Sequence, residues 1–397
     1  MEQLFKKSND KIEEVSLKIT RYLLDELYYK DRISIIKGAR GVGKTTLLLQ
    51  YAKKNESKDK KTLYVSLDDL FFQNNTLYNL ATEFSLENGY LLLLDEVHKY
   101  PNWSRELKLI YDDLPNLKLL VTSSSILEIY KSESDLSRRA VTYTLKELSF
   151  REYILFDKGL DLPKYNLNQI LENHKKISFE ITKKIKPIYE FNKYLKHGMF
   201  PYYWENEKKF EQILLSTIHL SLEIDLPAIE KLDYIYITKL KKLLFAISTS
   251  TPFTPNISKL SEKVGISRKA LIKAFQYLER ARLIILVNKN NKGISILSKP
   301  NKIYINNPNI QYALGVNHAN IGSIRESFFA NQLYGFYNIE LPKKGDFIVD
   351  NKYIFEIGGK NKSKYQIKGL DNAYIVRDDF ENGFDSYIPL WLFGFLY

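Results

Sequence analysis

The sequence predicts an α/β chain of several domains: a mainly parallel sheet first, a helical middle, and a small α/β domain at the end. Three observations predict this. Short, largely apolar runs at 33–36, 91–94 and 119–121 alternate with stretches of helical spacing, and such runs belong to strands covered on both faces. Residues 260–287 read as helix, glycine turn, helix and β-branched run. Residues 345–369 read as a β-hairpin followed by a helix.

The bulk properties bound the answer. A chain of 397 residues exceeds one comfortable hydrophobic core and fits two or three domains. Its 44% hydrophobic and 27% charged residues are ordinary for a globular protein. Cysteine is absent and the five histidines, His98, His174, His197, His219 and His318, stand singly, which excludes disulfides and a zinc site. The opening MEQLFKKSNDKIEEV has both signs of charge and no apolar leader. No apolar run reaches the length of a membrane span, so the expectation is a cytoplasmic protein without a membrane partner. The net charge of +12 suits a polyanionic partner such as nucleic acid. A Lys-, Asn-, Ile- and Tyr-rich composition of the kind AT-rich genomes favour would produce it equally.

Taken in order, residues 8–29 carry apolar positions at helical spacing and predict one amphipathic helix. The strand ISIIK, 33–37, feeds directly into GARGVGKTT and then the helical LLLQYA. Gly38, Ala39, Arg40, Gly41, Val42, Gly43, Lys44, Thr45 and Thr46 therefore form a phosphate-binding loop between strand and helix. Glycines let consecutive N–H groups converge on phosphates at the helix N-terminus. Lys44 is expected on the β- and γ-phosphates and the Thr45 hydroxyl on magnesium. Residues 62–69 predict a second strand ending near Asp68 and Asp69, and LLLLDE a third. Asp95 completes the magnesium shell, and Glu96 is placed to activate the attacking water. The strand at 118–125 ends in hydroxyls, of which Thr122 or Ser123 either senses the γ-phosphate or caps a helix. The implied ligands are ATP and Mg2+.

The series GARGVGKTT, YVSLDD, LLLLDEVHKYPNW, LLVTSSS and LSRRAVTYTLKELSFREYI resembles the AAA-like prokaryotic ATPases of the archaeal-ATPase type, whose members carry a C-terminal domain of unknown function. The resemblance covers most of the chain and implies an AAA-like P-loop ATPase domain over 1–156, with ATP preferred over GTP. Arg139 matches a family arginine and Arg138 stands where glycine is usual. Near the γ-phosphate such an arginine acts on transition-state charge, in cis or from a neighbouring subunit; a solvated basic pair is the alternative.

Residues 157–230 read as a helical linker, with Gly198 and Pro201 making a bend and His197 structural. Residues 231–298 read as a winged helix-turn-helix: Gly265 makes the turn and Ser267 caps the second helix. Arg268, Lys269 and Lys273 would face a DNA groove, and Lys289, Asn290, Asn291 and Lys292 would meet phosphates from the wing. Winged helices also serve as protein-contact modules, so double-stranded DNA, a protein partner or a second copy of the chain all fit.

Residues 299–397 complete the chain. The order helix with Glu326, strand with Asp346, strand with Glu356 resembles the PD-(D/E)xK nuclease fold, in which carboxylates gather a metal. Gly358 occupies the position of the expected lysine and Lys360 lies nearby, which predicts an inactive relative. The apolar end 389–397 predicts a buried final strand or helix. The whole reads as a magnesium-dependent ATPase coupling hydrolysis to a conformational change, DNA-associated through the winged helix. The alternatives are a signalling or scaffold ATPase without DNA, or an ATP-regulated nuclease.

Overall fold

The computed structural model describes residues 1–27, 31–57, 60–123, 136, 138–230, 232–249, 254–289, 299–315 and 320–397, with the side chains of 228 and 229 left aside. The chain divides into two compact units, Met1–Glu147 with Ala228–Lys231, and Leu148–Pro227 with Leu232–Tyr397.

The first unit is an α/β layer structure. Its strands β1 (Ile33–Lys37), β2 (Lys61–Ser66), β3 (Gly89–Asp95), β4 (Lys118–Ser123) and β5 (Ala140–Thr144) form one sheet in the order β2-β3-β4-β1-β5. Every pairing is parallel, so all strands end at the same edge. The leucine run of β3 is buried from Leu91 to Leu94, as a strand covered on both faces requires. Helices α1 (Glu2–Glu14), α2 (Leu23–Glu26), α3 (Lys44–Lys54), α4 (Leu77–Leu86) and α5 (Trp103–Asp113) surround it. One core joins Ile33, Ile35, Leu63, Val65, Leu92, Leu94 and Val121 to Leu80, Phe84, Trp103, Leu107 and Ile110.

The single helix expected over 8–29 is instead α1 and α2. Val15 leaves helical geometry at φ −68°, ψ 133°. The reason is side chains of α3: Lys53 Nζ donates to the carbonyls of Glu13 and Val15, and Gln50 Nε2 to those of Ser16 and Ile19. Carbonyls satisfied in this way need no helical partner. Helix α1 covers edge strand β2, whose Tyr64 N–H donates to the buried Ser8 hydroxyl at 2.9 Å.

In the second unit, α6 (Phe150–Lys158), α7 (Leu167–Thr182) and α8 (Pro187–His197) come first, then α9 (Phe210–Leu220) and α10 (Tyr234–Ser248). Next are α11 (Ile257–Val264), α12 (Arg268–Arg280), β6 (Ile284–Val287) and β7 (Lys302–Ile305), then α13 (Pro308–Ala313) and α14 (Ile321–Leu333). A last sheet has the order β12-β11-β10-β9-β8, from β8 (Ile339–Glu340), β9 (Phe347–Val349), β10 (Tyr353–Gly358), β11 (Ala373–Arg377) and β12 (Tyr387–Pro389). Its β10, β11 and β12 are parallel, and β8–β9–β10 run antiparallel.

Three boundaries differ from the sequence reading. The first domain, read to residue 156, ends at Glu147: Phe150 already belongs to the second unit, its ring packed among Phe191 at 5.3 Å, Tyr194 at 5.4 Å and Phe395 at 5.9 Å. The segment read as a linker is packed structure: Ser178 Oγ accepts from the Gly383 amide at 3.0 Å, and a ring nitrogen of His174 lies 3.1 Å from the Asp385 carbonyl. The cut at 298/299 divides a ribbon, since β7 pairs antiparallel with β6. Within 345–369 the hairpin β9–β10 forms, but the helix expected after it is only a short turn, Tyr365–Ile367. The apolar C-terminus is buried from Leu390 to Phe395.

Candidate functional site

The nucleotide-type site is assembled at the carboxyl edge of the parallel sheet, where ligands of open α/β sheets bind. β1 delivers Gly38–Gly43, and Gly41 at φ 81° and Gly43 at φ 93° take the left-handed backbone that lets the loop curl over the start of α3. The N–H groups of that helix end point at the loop's concavity. Lys44 is buried and its Nζ donates to the carbonyls of Gly38 at 3.1 Å and Ala39 at 2.9 Å. Arg40 is half-buried and Thr46 exposed.

Asp95 ends β3, only 3% exposed. It accepts from the hydroxyls of Thr45 at 2.7 Å, Tyr64 at 2.9 Å and Thr122. Burial, then the Asp95 carboxylate, drives the Tyr64 phenol far above its ordinary range, so it stays a donor. The hydroxyl of Thr45 and the carboxylate of Asp95 are hard oxygen donors side by side, a set that fits magnesium.

Glu96 leaves the strand in left-handed backbone, φ 55°, with its amide donating to Thr122 Oγ1 at 3.1 Å. Its Oε2 lies 3.5 Å from His98 Nε2 and 3.6 Å from Lys99 Nζ. The other His98 ring nitrogen is 3.4 Å from Ser123 Oγ, which puts a buried imidazole between the glutamate and the expected sensor hydroxyl. Lys99 also reaches Asp68 at 2.7 Å. Burial opposes ionisation of Asp68, but the bonds from Lys99 and Ser66 outweigh it and hold the carboxyl below its ordinary value.

The loop residues, Asp95, Glu96 and Ser123 thus come together. Arg139 does not. It precedes β5, at the sheet's amino edge, and a five-residue strand separates the two edges by about 16 Å. It forms a bidentate pair with Asp112 at 3.0 and 3.1 Å and lies over Tyr111. A cis role at the γ-phosphate is therefore excluded by strand direction. Thr122 is committed to Asp95 and the Glu96 amide, and Ser123 is the next hydroxyl on the same strand end. Tyr64 and His98 were missed from sequence; the Asp95 partner of Tyr64 and the Ser123 partner of His98 are both distant in the chain.

In the second unit, α11 and α12 meet at Gly265, φ 72°, and the Ser267 hydroxyl caps α12 by accepting from Ala270 N–H. Arg268, Lys269 and Lys273 are exposed on α12. Of the expected wing residues, Lys289 is exposed, and Asn290, Asn291 and Lys292 lie outside the described residues. Glu326 accepts from Lys302 Nζ at 2.5 Å and Tyr304 OH at 2.8 Å. Glu356 pairs with Lys362, and Asp346 accepts from the Ile357 amide at 2.8 Å. Burial first, then Asp346, raises the carboxyls of both Glu326 and Glu356 against the opposing lysines. The three carboxylates are close enough to feel one another, yet among the described residues no group of three acidic or histidine side chains is arranged to hold a metal ion. No described helix is long and apolar enough to cross a membrane.

An uncharacterized protein of Methanocaldococcus jannaschii, MJ1637, is 28% identical over 422 residues, spanning 96% of this chain and 87% of that one. Residues 188–320 match a domain family of unknown function, DUF8612. Among solved structures, AMPPCP-bound DnaA from Aquifex aeolicus overlaps 65% of this chain and 84% of its own at 16% identity, with a TM-score of 0.27. The replication initiator DnaA bound to AMPPCP and single-stranded DNA overlaps 69% and 87% at 18% identity, TM-score 0.28. Residues 30–154, which hold the loop, Asp95, Glu96 and all five strands of the parallel sheet, match the AAA domain family.

Proposed function

We propose that the first unit binds ATP with magnesium and hydrolyses it to ADP and phosphate. The observation that carries this is the Thr45 hydroxyl set 2.7 Å from the Asp95 carboxylate at the mouth of the loop, with Glu96 next in the chain. Lys44 and the loop amides would hold the phosphates, and Thr45 and Asp95 would hold magnesium, which supplies charge neutralisation. Glu96 takes the proton of the attacking water, and Ser123 hydrogen-bonds the terminal phosphate. Arg139 is proposed to act only from a neighbouring copy of the chain.

The output is proposed to be a conformational change coupled to duplex DNA, because Arg268, Lys269 and Lys273 stand exposed on α12 of a helix–turn–helix in a chain of net charge +12. The C-terminal carboxylates are proposed to be a nuclease-like cluster without activity, since ammonium groups already sit on Glu326 and Glu356. The test is steady-state ATP hydrolysis with magnesium, at low and moderate salt, without and with duplex DNA. Glu96→Gln is expected to keep ATP binding and to lose turnover by about 100-fold or more. A Glu96→Gln enzyme as fast as wild type would remove Glu96 as the base, and a wild type without magnesium-dependent hydrolysis would sink the ATPase reading. DNA stimulation that salt abolishes supports coupling to phosphates; a rate indifferent to DNA would instead favour a scaffold acting on a protein. Metal-dependent plasmid cleavage lost in Glu356→Ala would overturn the inactive-nuclease reading.

A further inference from the structure

The segment entering β1 grips the phosphate-binding loop in a way that hydrolysis chemistry does not require. Arg21 is 4% exposed. Its guanidinium donates to the Val42 carbonyl at 2.5 Å and to the carbonyls of Lys146 at 2.8 Å and Glu147 at 3.2 Å. Val42 belongs to the loop; Lys146 and Glu147 follow β5. The loop's other end meets the same stretch. The Leu145 amide donates to the Lys37 carbonyl at 2.8 Å, and Gly38 passes so near that a Cβ there would stand 2.3 Å from the Leu145 carbonyl oxygen. Beside Arg21, the Tyr22 hydroxyl donates to the Thr144 carbonyl at 2.8 Å. Both ends of the loop are therefore fastened to 144–147, one of them through a single planar fork.

A guanidinium taken out of water is tolerated when its donors are well bonded, and its rigid fork fixes the relative position of the acceptors it spans in a way that a lysine's point charge does not. We infer that Arg21 is a positioning residue that holds the phosphate-binding loop and links the loop's state to Lys146 and Glu147, the last residues of the first unit before the chain passes to Leu148. The inference rests on the nucleotide reading above. A loop whose amides adjust to phosphate oxygens moves the Val42 peptide. The shared guanidinium then shifts the carbonyls of Lys146 and Glu147 with it.

The test is calorimetric titration with ATP and magnesium, together with hydrogen exchange of the peptides 38–44 and 144–149, in the full chain carrying Glu96→Gln to prevent turnover. With Arg21 present, ATP is expected to slow exchange in both peptides. Arg21→Lys is expected to weaken ATP binding about tenfold, the size of one charge-assisted hydrogen bond, and to keep protection at 38–44 while losing it at 144–149. Protection confined to 38–44 with Arg21 present overturns the inference while leaving ATP binding intact, and it needs no Arg21 variant. Wild-type affinity and wild-type protection at 144–149 in Arg21→Lys overturn it as well. Absence of any ATP binding with Arg21 present would remove the nucleotide reading and this inference together.

Discussion

Glu96 occupies left-handed backbone at φ 55°, which costs a residue with a Cβ about 1 kcal/mol or more. The Thr122 hydroxyl that accepts its amide at 3.1 Å holds it there, and His98 steadies the carboxylate from the other side. His98→Ala is accordingly expected to lower kcat about tenfold, the effect of losing a polar neighbour 3.5 Å from the general base, with KM for ATP nearly unchanged. His98→Gln should recover part of the rate, because an amide can face both Glu96 and Ser123. Equal losses in kcat for the two variants would speak against a bridging role; steady-state kinetics decides. That Lys44, Thr45, Asp95 and Glu96 would meet was legible from sequence because they belong to one loop and one strand end. Tyr64 and Arg21 were not, since a tyrosine in a strand or an arginine in a helical pattern carries no sign of its distant partner, and His98 shows only its neighbour Glu96 in the sequence, not Ser123. Arg139 misled for the same reason: its family position names the residue, and only strand direction tells which edge it lies on.

Close approaches and caps make the elements testable one at a time. Gly38→Ala puts a methyl into the Leu145 carbonyl at 2.3 Å, backbone against backbone, so the first unit is expected to lose about 1–3 kcal/mol. Its thermal midpoint would fall even without nucleotide. Ser267→Ala removes the hydroxyl that accepts from the Ala270 amide at 3.2 Å and should cost α12 about 1 kcal/mol, read from denaturant unfolding followed by circular dichroism. Strands β1, β2, β3 and β4 were legible because their apolar runs and their punctuation agree. The helix over 8–29 was misread because spacing alone does not reveal that Gln50 and Lys53 would claim its carbonyls. The stretch 157–190 looked like a linker because its apolar positions, Ile170, Leu171, Ile177 and Ile181, are thinly spread among charges; all four are buried.

At the scale of the whole molecule, acid should act on the second unit. Burial holds His174 below the ordinary histidine value, so the unfolded chain takes up the proton first. Its contribution is complete above about pH 6.5 and is lost as pH falls through the folded value; burial of His197 gives the same sign. The thermal midpoint of the second unit is expected to drop between pH 7 and pH 5.5, and His174→Gln should flatten that slope. A slope unchanged by the substitution would assign the acid sensitivity elsewhere. The parallel sheet has a further consequence for how the chain comes to be folded at all. β1 lies between β4 and β5 in the order β2-β3-β4-β1-β5, so Ile33 pairs with Leu119 and Ala140, both far downstream. On a ribosome, ISIIK therefore emerges early and waits, unpaired until β4 has been made through Ser123 and open along its other side until Thr144. Such non-local pairing is slow and leaves an aggregation-prone strand exposed in the interval, so nascent chains stopped short of β5 should be the ones that need a chaperone.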